Sequence, residues 1–136
     1  MKNIGIWLDS NKAYIVRIQN GKETFERIPS NIEHYHVHGG SGTRFKNGPQ
    51  DVIQDSKYLE RKKHQFKRYF KTIISLIKEA NRIVIYGPAE TFKMFKTELE
   101  NNYSEINSKV LNVEKADSMT NNQIKSLIRD YYKRID

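Results

Sequence analysis

With 136 residues, the chain is long enough to bury a sizeable core in one domain. The absence of cysteine excludes a disulfide framework and a thiolate metal site. Its formal net charge of +8 and pI near 9.6 predict an anionic partner, of which nucleic acid is the commonest. The mean hydropathy is -0.79, and the sequence has neither a secretory apolar segment nor an apolar run of membrane-spanning length, so we expect a single cytoplasmic domain over residues 1–136.

The first thirty residues predict three antiparallel strands that are joined by tight turns. Apolar residues alternate along the first strand, and residues 9–12 are typical of a turn into the second. Asn20-Gly21 is a stronger turn signal, because a two-residue hairpin turn requires positive φ angles. The third strand is expected to start near Thr24, to be interrupted at Pro29-Ser30 and to resume over residues 32–37.

A glycine-rich loop is expected to follow the strands. Residues 39–49 contain four glycines and a proline, which excludes a helix or a central strand and predicts a surface loop. Long polar loops in compact domains often carry function. Asp51 and Gln54 resemble a capping box for a helix that we expect from about Val52 to Ala80.

The predicted long helix has an apolar face and a basic face. The residues expected to be buried recur at helical spacing and are Leu59, Phe66, Phe70, Ile73 and Ile77. The basic residues recur on the other face and are Lys57, Arg61, His64, Arg68 and Lys71. Glu60 is the only carboxylate between Lys57 and Lys78, although like charges at i, i+4 cost a few tenths of a kcal/mol each. This pattern favours a polyanionic partner.

Two further strands and two helices are expected downstream. Residues 82–86 are a continuous apolar run typical of a central strand, and Gly87-Pro88 is expected to start a helix with proline near its first position. Core residues of that helix are Phe92, Phe95 and Leu99. Residues 109–113 predict the last strand, and Thr120 with Gln123 predicts a capping box for the final helix. The expected apolar stripe of that helix is Ile124, Leu127, Ile128, Tyr131 and Ile135.

The resulting element order is β-β-β-α-β-α-β-α, without an internal repeat. Three antiparallel strands followed by βα units predict an α/β fold with a mixed five-stranded sheet and helices on both faces. We expect the ribonuclease H-like arrangement.

The order of these elements and motifs resembles the middle domain of the archaeo-eukaryotic peptide-chain release factors and of the related ribosome-rescue factor Pelota. The segments that carry the resemblance are Ile4–Asp9, His36–His38, Gly39-Gly40, Arg44-Phe45, Glu60–Tyr69, Ile83–Gly87, Phe92-Lys93 and Thr97–Leu99. The resemblance covers nearly the whole chain and implies a stand-alone bacterial protein of release-factor type. It also implies a translation-associated function, with ribosome rescue as a specific form of it.

The family's Gly-Gly-Gln loop corresponds to residues 39–41, where Ser41 stands in place of the family's glutamine. If hydrolysis of the peptidyl-tRNA ester is retained, the resemblance implies that Gly39 and Gly40 supply the loop geometry and that Ser41 helps to place the attacking water. The alternatives are that the loop binds phosphate or only links a strand to a helix.

The basic segment is the predicted interface with ribosomal RNA or tRNA. The candidate RNA-binding residues are Arg44, Lys46, Lys57, Arg61, Lys62, Lys63, His64, Lys67, Arg68 and Lys71. The alternative is an ordinary solvated charged face. Phe45, Tyr58 and Tyr69 are candidates for stacking on bases, although residues of this type are more often in the core or at its rim.

A metal-dependent hydrolase or nuclease is a third reading. His34, His36 and His38 lie on one face of a strand by the period-two rule and can share a metal. Asp9 is comparable with the first-strand carboxylate of ribonuclease H-type nucleases, but its position beside Ser10-Asn11 favours a turn residue. The main reading requires no cofactor.

Overall fold

The computed structural model describes residues 1–33 and 48–136, with the backbone alone for 48–56, and within them five strands form one mixed sheet. The elements are β1 (Asn3–Leu8), β2 (Lys12–Gln19), β3 (Lys22–Pro29), α1 (Gly48–Ile77), β4 (Arg82–Gly87), α2 (Thr91–Asn102), α3 (Ser104–Asn107), β5 (Val110–Lys115) and α4 (Asn121–Ile135). The strand order is β3-β2-β1-β4-β5. β1 pairs antiparallel with β2 and parallel with β4, so the predicted α/β class and mixed sheet are confirmed.

Two short turns set the register of the N-terminal meander. Asp9 Oδ1 accepts hydrogen bonds from the backbone N–H groups of Asn11 at 2.8 Å and Lys12 at 2.9 Å. Asp9 therefore fixes the β1–β2 turn, in agreement with the simpler of its two readings. Asn20 and Gly21 have φ angles of 54° and 76°, as the predicted two-residue hairpin turn requires.

Helices cover both faces of the sheet, and the sheet separates two cores. α1 and α2 cover one face with a core of mostly aliphatic and phenylalanine side chains that includes Phe70, Ile73 and Phe95. α4 covers the other face, where Trp7, Tyr14, Val16, Val84, Tyr86, Ile124, Ile128 and Tyr132 are buried. α4 lies so close to β1 that a Cβ atom on Gly5 would collide with the side chain of Ile128. Glycine at this position therefore permits the helix to approach the sheet.

The start of α1 differs from the sequence-based prediction. The helix begins at Gly48 and not at Val52, so the end of the expected loop is helical. Pro49 is compatible with this start, because backbone N–H groups in the first turn of a helix have no hydrogen-bond partner within the helix, so the N–H group that proline lacks is not needed there. Asp51 lies inside the helix, so the predicted capping box of Asp51 and Gln54 is wrong.

The buried stripe of α1 is shorter than predicted. Leu59 is 62% exposed, whereas Tyr69, Phe70 and Ile73 are buried. A helix of 30 residues is about 45 Å long, while a strand of six to eight residues spans roughly 20–27 Å. The helix is thus longer than the sheet it covers, and Leu59 lies beyond the part of α1 that contributes Tyr69, Phe70 and Ile73 to the core.

α2 also begins later than predicted. Its first residue is Thr91, and Pro88 lies in the turn between Gly87 and the helix. The prediction that proline occupies the first helical position is therefore wrong. Phe92, Phe95 and Leu99 are buried as expected. The single-turn helix α3 was not predicted, because four residues are too few for a periodic pattern.

The predicted capping box of α4 is confirmed. Thr120 Oγ1 accepts from the Gln123 N–H at 3.2 Å, and the Thr120 N–H donates to Gln123 Oε1 at 2.9 Å. At the other end of the helix the predicted stripe is wrong, because Ile135 is 44% exposed. Tyr132 is buried there instead, and its hydroxyl donates a 2.7 Å hydrogen bond to the carbonyl of Ile4.

The chain leaves the sheet after Pro29. Residues 30–33 are not part of a strand, and Asn31 has a φ of 55°, so the predicted resumption of the strand is wrong at residues 32 and 33. Ile32 is nevertheless buried in the core beneath α1. Residues 34–37 of that prediction lie outside the described residues.

Candidate nucleic-acid interface

The outer face of α1 is a continuous basic surface. The term outer face of α1 refers here to five residues that recur at helical spacing and are all exposed: Lys57, Arg61, His64, Arg68 and Lys71. Residues 57–77 contain seven of the chain's 24 lysines and arginines but a single carboxylate, that of Glu60. Seven cations against one carboxylate give this segment a net charge of +6, whereas the whole chain carries +8.

Arg61 differs from the other cations because it is held by a carboxylate. Its Nε donates to Glu33 Oε2 and its Nη2 to Glu33 Oε1, each at 3.0 Å. Gln65 completes the contact, since its Oε1 accepts from the Glu33 N–H at 2.9 Å. The hydrogen bond from Arg61 lowers the pKa of Glu33, and the same bond raises the pKa of Arg61. The residue that precedes segment 34–47 is thus fixed on α1.

The remaining cations of the segment are available to a ligand. His64 Nε2 lies 3.6 Å from Glu60 Oε2 on the exposed side of the helix. Across residues 1–33 and 57–136, no carboxylate forms an ion pair with Lys57, Lys62, Lys63, Lys67, Arg68 or Lys71. These six side chains are therefore not neutralised by contacts within the described part of the protein.

The three residues predicted to stack on bases differ in their positions. Tyr69 is buried, and its hydroxyl donates a 2.9 Å hydrogen bond to the carbonyl of Asp9, while burial raises its pKa far above the usual range. Tyr69 therefore ties α1 to the β1–β2 turn, and the stacking prediction is wrong for it. Tyr58 is half-buried, with the ammonium of Lys62 5.7 Å from its ring centroid. Phe45 lies outside the described residues.

Several predicted site residues lie outside the described part of the chain. They are the loop residues Gly39, Gly40 and Ser41, the basic residues Arg44 and Lys46, and the histidines His34, His36 and His38. Ester hydrolysis by the loop and metal binding by the histidines therefore stay predictions. Within residues 1–33 and 57–136, whose side chains the structure describes, no three His, Asp or Glu side chains are grouped in a way that could hold a metal ion. None of the helices found there is long and apolar enough to cross a membrane.

Comparison with known proteins finds relatives in structure and not in sequence. No protein-family model matches the chain, and no curated protein matches it. Among solved structures, Pelota from Archaeoglobus fulgidus aligns over 98% of this chain with a TM-score of 0.57 and 9% identity. An archaeal translation termination factor and a structure described as an archaeal protein each align over 98% with a TM-score of 0.51 and 11% identity.

The chain shares its fold with a part of Pelota and a part of this archaeal termination factor. The predicted resemblance is thereby confirmed at the level of the fold. The chain spans about a third of the length of these proteins, since it covers 31% of Pelota and 39% of the termination factor. At these identities the comparison shows the fold alone.

Proposed function

We propose that this protein is a translation-associated RNA-binding protein that binds ribosomal RNA or tRNA through the outer face of α1. The observation that carries the proposal is the row of exposed cations Lys57, Arg68 and Lys71, none of which has an ion pair within the described residues. From Lys57 to Lys71 the helix advances about 21 Å, which is enough to reach several successive phosphates of one strand. A merely solvated face gains nothing from this arrangement, because stacked like charges destabilise a helix.

The fold supports the choice of translation RNA over other nucleic acids. One of the structural neighbours is a translation termination factor, and the alignment with it extends over 98% of this chain. We propose that residues 1–136 act as one domain of release-factor middle-domain type, in the cytoplasm, where ribosomes are found. A role in ribosome rescue is a more specific form of the same proposal.

The experiment is co-sedimentation of the purified protein with ribosomes over a series of salt concentrations. We expect the wild type to pellet with ribosomes, and the triple variant Lys57→Glu, Arg68→Glu, Lys71→Glu to bind at least about tenfold more weakly. The slope of log K against log salt should fall by roughly 0.7–0.9 for each phosphate contact that is lost. These three side chains are exposed, so the variant should fold normally.

The matched control reverses three lysines on other elements, Lys22 of β3, Lys115 of β5 and Lys133 of α4, all of them exposed. This control has the same net charge as the test variant, so it separates a defined interface from general attraction to RNA. Equal losses in the two variants, or a wild type that does not pellet with ribosomes, would show the proposal to be wrong.

A further inference from the structure

A groove with an apolar floor runs between α1 and α2. Its volume is about 600 Å³, within the range of peptide and small-ligand sites. Phe66 and Phe70 of α1 form the floor. Two exposed apolar side chains also line the groove, Leu59 of α1 at 62% and Met94 of α2 at 41%. Single exposed apolar residues are common on proteins, but several that converge on one groove mark an interaction site.

The floor of the groove is fixed by the core beneath it. The rings of Phe66 and Phe70 lie 5.7 Å apart, and Phe70 meets the buried ring of Phe95 edge to face at 5.3 Å. Aromatic pairs of this geometry are favourable beyond the area that they bury. A partner would therefore meet a preformed surface and would not have to order it, which reduces the cost of binding.

The rim of the groove is mainly positive. Lys62, Lys63 and Lys67 of α1 line one side and have no ion pair within the described residues. On the α2 side Lys93 lies 3.8 Å from Glu90, and these two charges offset each other. Glu98 is the other carboxylate that lines the groove. Within the described residues, three lysines and one carboxylate of the groove have no ion pair, and this surplus of positive charge favours a ligand with negative charge.

We propose that this groove binds an acidic amphipathic helix of a partner protein. Apolar side chains of the partner would pack against Leu59, Phe66 and Met94, and its carboxylates would pair with the lysines of the rim. Leu59 and Phe70 are eleven positions apart, a distance of about 16 Å along α1 that matches about three turns of a docked helix.

Charge and chemistry favour this occupant over two others. A second copy of this chain carries a net charge of +8, which opposes self-association through a lysine-rimmed surface. A nucleic-acid backbone would pair with the lysines but would leave the exposed Leu59 and Met94 without apolar contacts. An acidic amphipathic helix satisfies both parts of the groove.

The first test uses a synthetic helix as the probe. A side-chain-stapled peptide of about three turns, with leucines on one face and glutamates on the other, avoids the low helicity of short free peptides. We expect it to bind the full chain in fluorescence anisotropy and to shift the backbone amide signals of Leu59, Phe66 and Met94. Two stapled controls, one with serine for leucine and one with lysine for glutamate, should each bind at least about tenfold more weakly.

The second test changes the groove and keeps the probe. The double variant Leu59→Gln, Met94→Gln removes exposed apolar surface without changing charge or the core, and it should bind the probe at least about tenfold more weakly. The matched control is Leu111→Gln on β5, which is 47% exposed and does not line the groove, and it should bind as the wild type does. Circular dichroism should show all variants folded.

Three outcomes would overturn the inference. The first is probe binding that does not depend on Leu59 and Met94. The second is a single-stranded RNA oligonucleotide that binds with the same dependence on these two residues, which would make the groove a base-stacking surface. The third is a dimer in analytical ultracentrifugation that the double variant abolishes. The outer face of α1 is unchanged in these variants, so the result is independent of ribosome binding.

Discussion

α1 and α4 are both amphipathic helices with basic surfaces, but they use their cations differently. On α4, Arg129 donates to both carboxylate oxygens of Glu23, at 2.9 and 3.0 Å. Lys125 lies 4.8 Å from the ring centroid of Phe25, and Arg134 lies 5.5 Å from that of Tyr131. On the outer face of α1, Arg61 alone has a comparable partner, in Glu33, among the residues that the structure describes.

The difference indicates that the two helices carry charge for different reasons. Arg129 and Lys125 of α4 contact Glu23 and Phe25 and help to hold the helix against β3. The cations of α1 contribute little to the fold, because α1 is held through its apolar side and through the hydroxyl of Tyr69. Charge without an internal partner is what a surface for an external polyanion requires.

The largest expected effect tests whether α1 is held by its apolar side. Phe70→Ala should lower the free energy of unfolding by about 3–5 kcal/mol, because it leaves a cavity against the ring of Phe95. Leu59→Ala in the same helix should change it by less than about 0.5 kcal/mol, since that side chain is 62% exposed. Urea denaturation of both variants measures this. Similar losses in the two would mean that the N-terminal half of α1 is packed as well.

A smaller effect on stability separates the two sets of cations. Arg129→Gln should lower the melting temperature, because it breaks the bidentate contact with Glu23. Arg68→Gln should leave the melting temperature unchanged, because its side chain is exposed and unpaired within the described residues. Differential scanning calorimetry measures both.

The same two variants should reverse their order in ribosome binding. Arg68→Gln is expected to weaken co-sedimentation, and Arg129→Gln is expected to leave it unchanged. If one variant loses both stability and ribosome binding while the other loses neither, the distinction between the helices fails.

Local signals explain which parts of the fold could be predicted from the sequence. The Asn20-Gly21 turn and the Thr120–Gln123 capping box depend on residues that are neighbours in the chain, so their patterns predicted them correctly. The starts of α1 and α2 were misplaced, because proline is compatible both with the first turn of a helix and with the loop before it. The exposure of Leu59 depends on where the sheet ends, which no periodic pattern records.

In the candidate site, too, features that depend on neighbouring residues could be predicted, and features that depend on distant residues could not. Helical spacing predicted the outer face of α1, and its exposure is confirmed. The contact of Arg61 with Glu33 joins residues 28 positions apart, so no short-range pattern could reveal it. The groove between α1 and α2 was missed for the same reason, since its two walls come from separate helices that the β4 strand divides in sequence.

The smallest expected effect concerns two arginine–carboxylate contacts, Arg61 with Glu33 at α1 and Arg82 with Asp136 at the end of α4. The hydrogen bond from Arg61 holds the pKa of Glu33 below its ordinary value of 4.5, and that from Arg82 holds the pKa of Asp136, next to α4, below 3.8. A carboxyl group with a lowered pKa stabilises the folded state above its ordinary pKa, and this contribution is lost as the pH falls through the lowered value. Stability should therefore be insensitive to Glu33 between pH 7 and 5 and should decline below about 4.5.

In an NMR titration of the side-chain carboxyl signals, Arg61→Gln should move the midpoint of Glu33 up towards 4.5 and leave that of Asp136 unchanged. A wild-type Glu33 that titrates at 4.5 or above would mean that Arg61 is not held by Glu33 in solution and resembles the cations of the outer face that have no ion pair within the described residues.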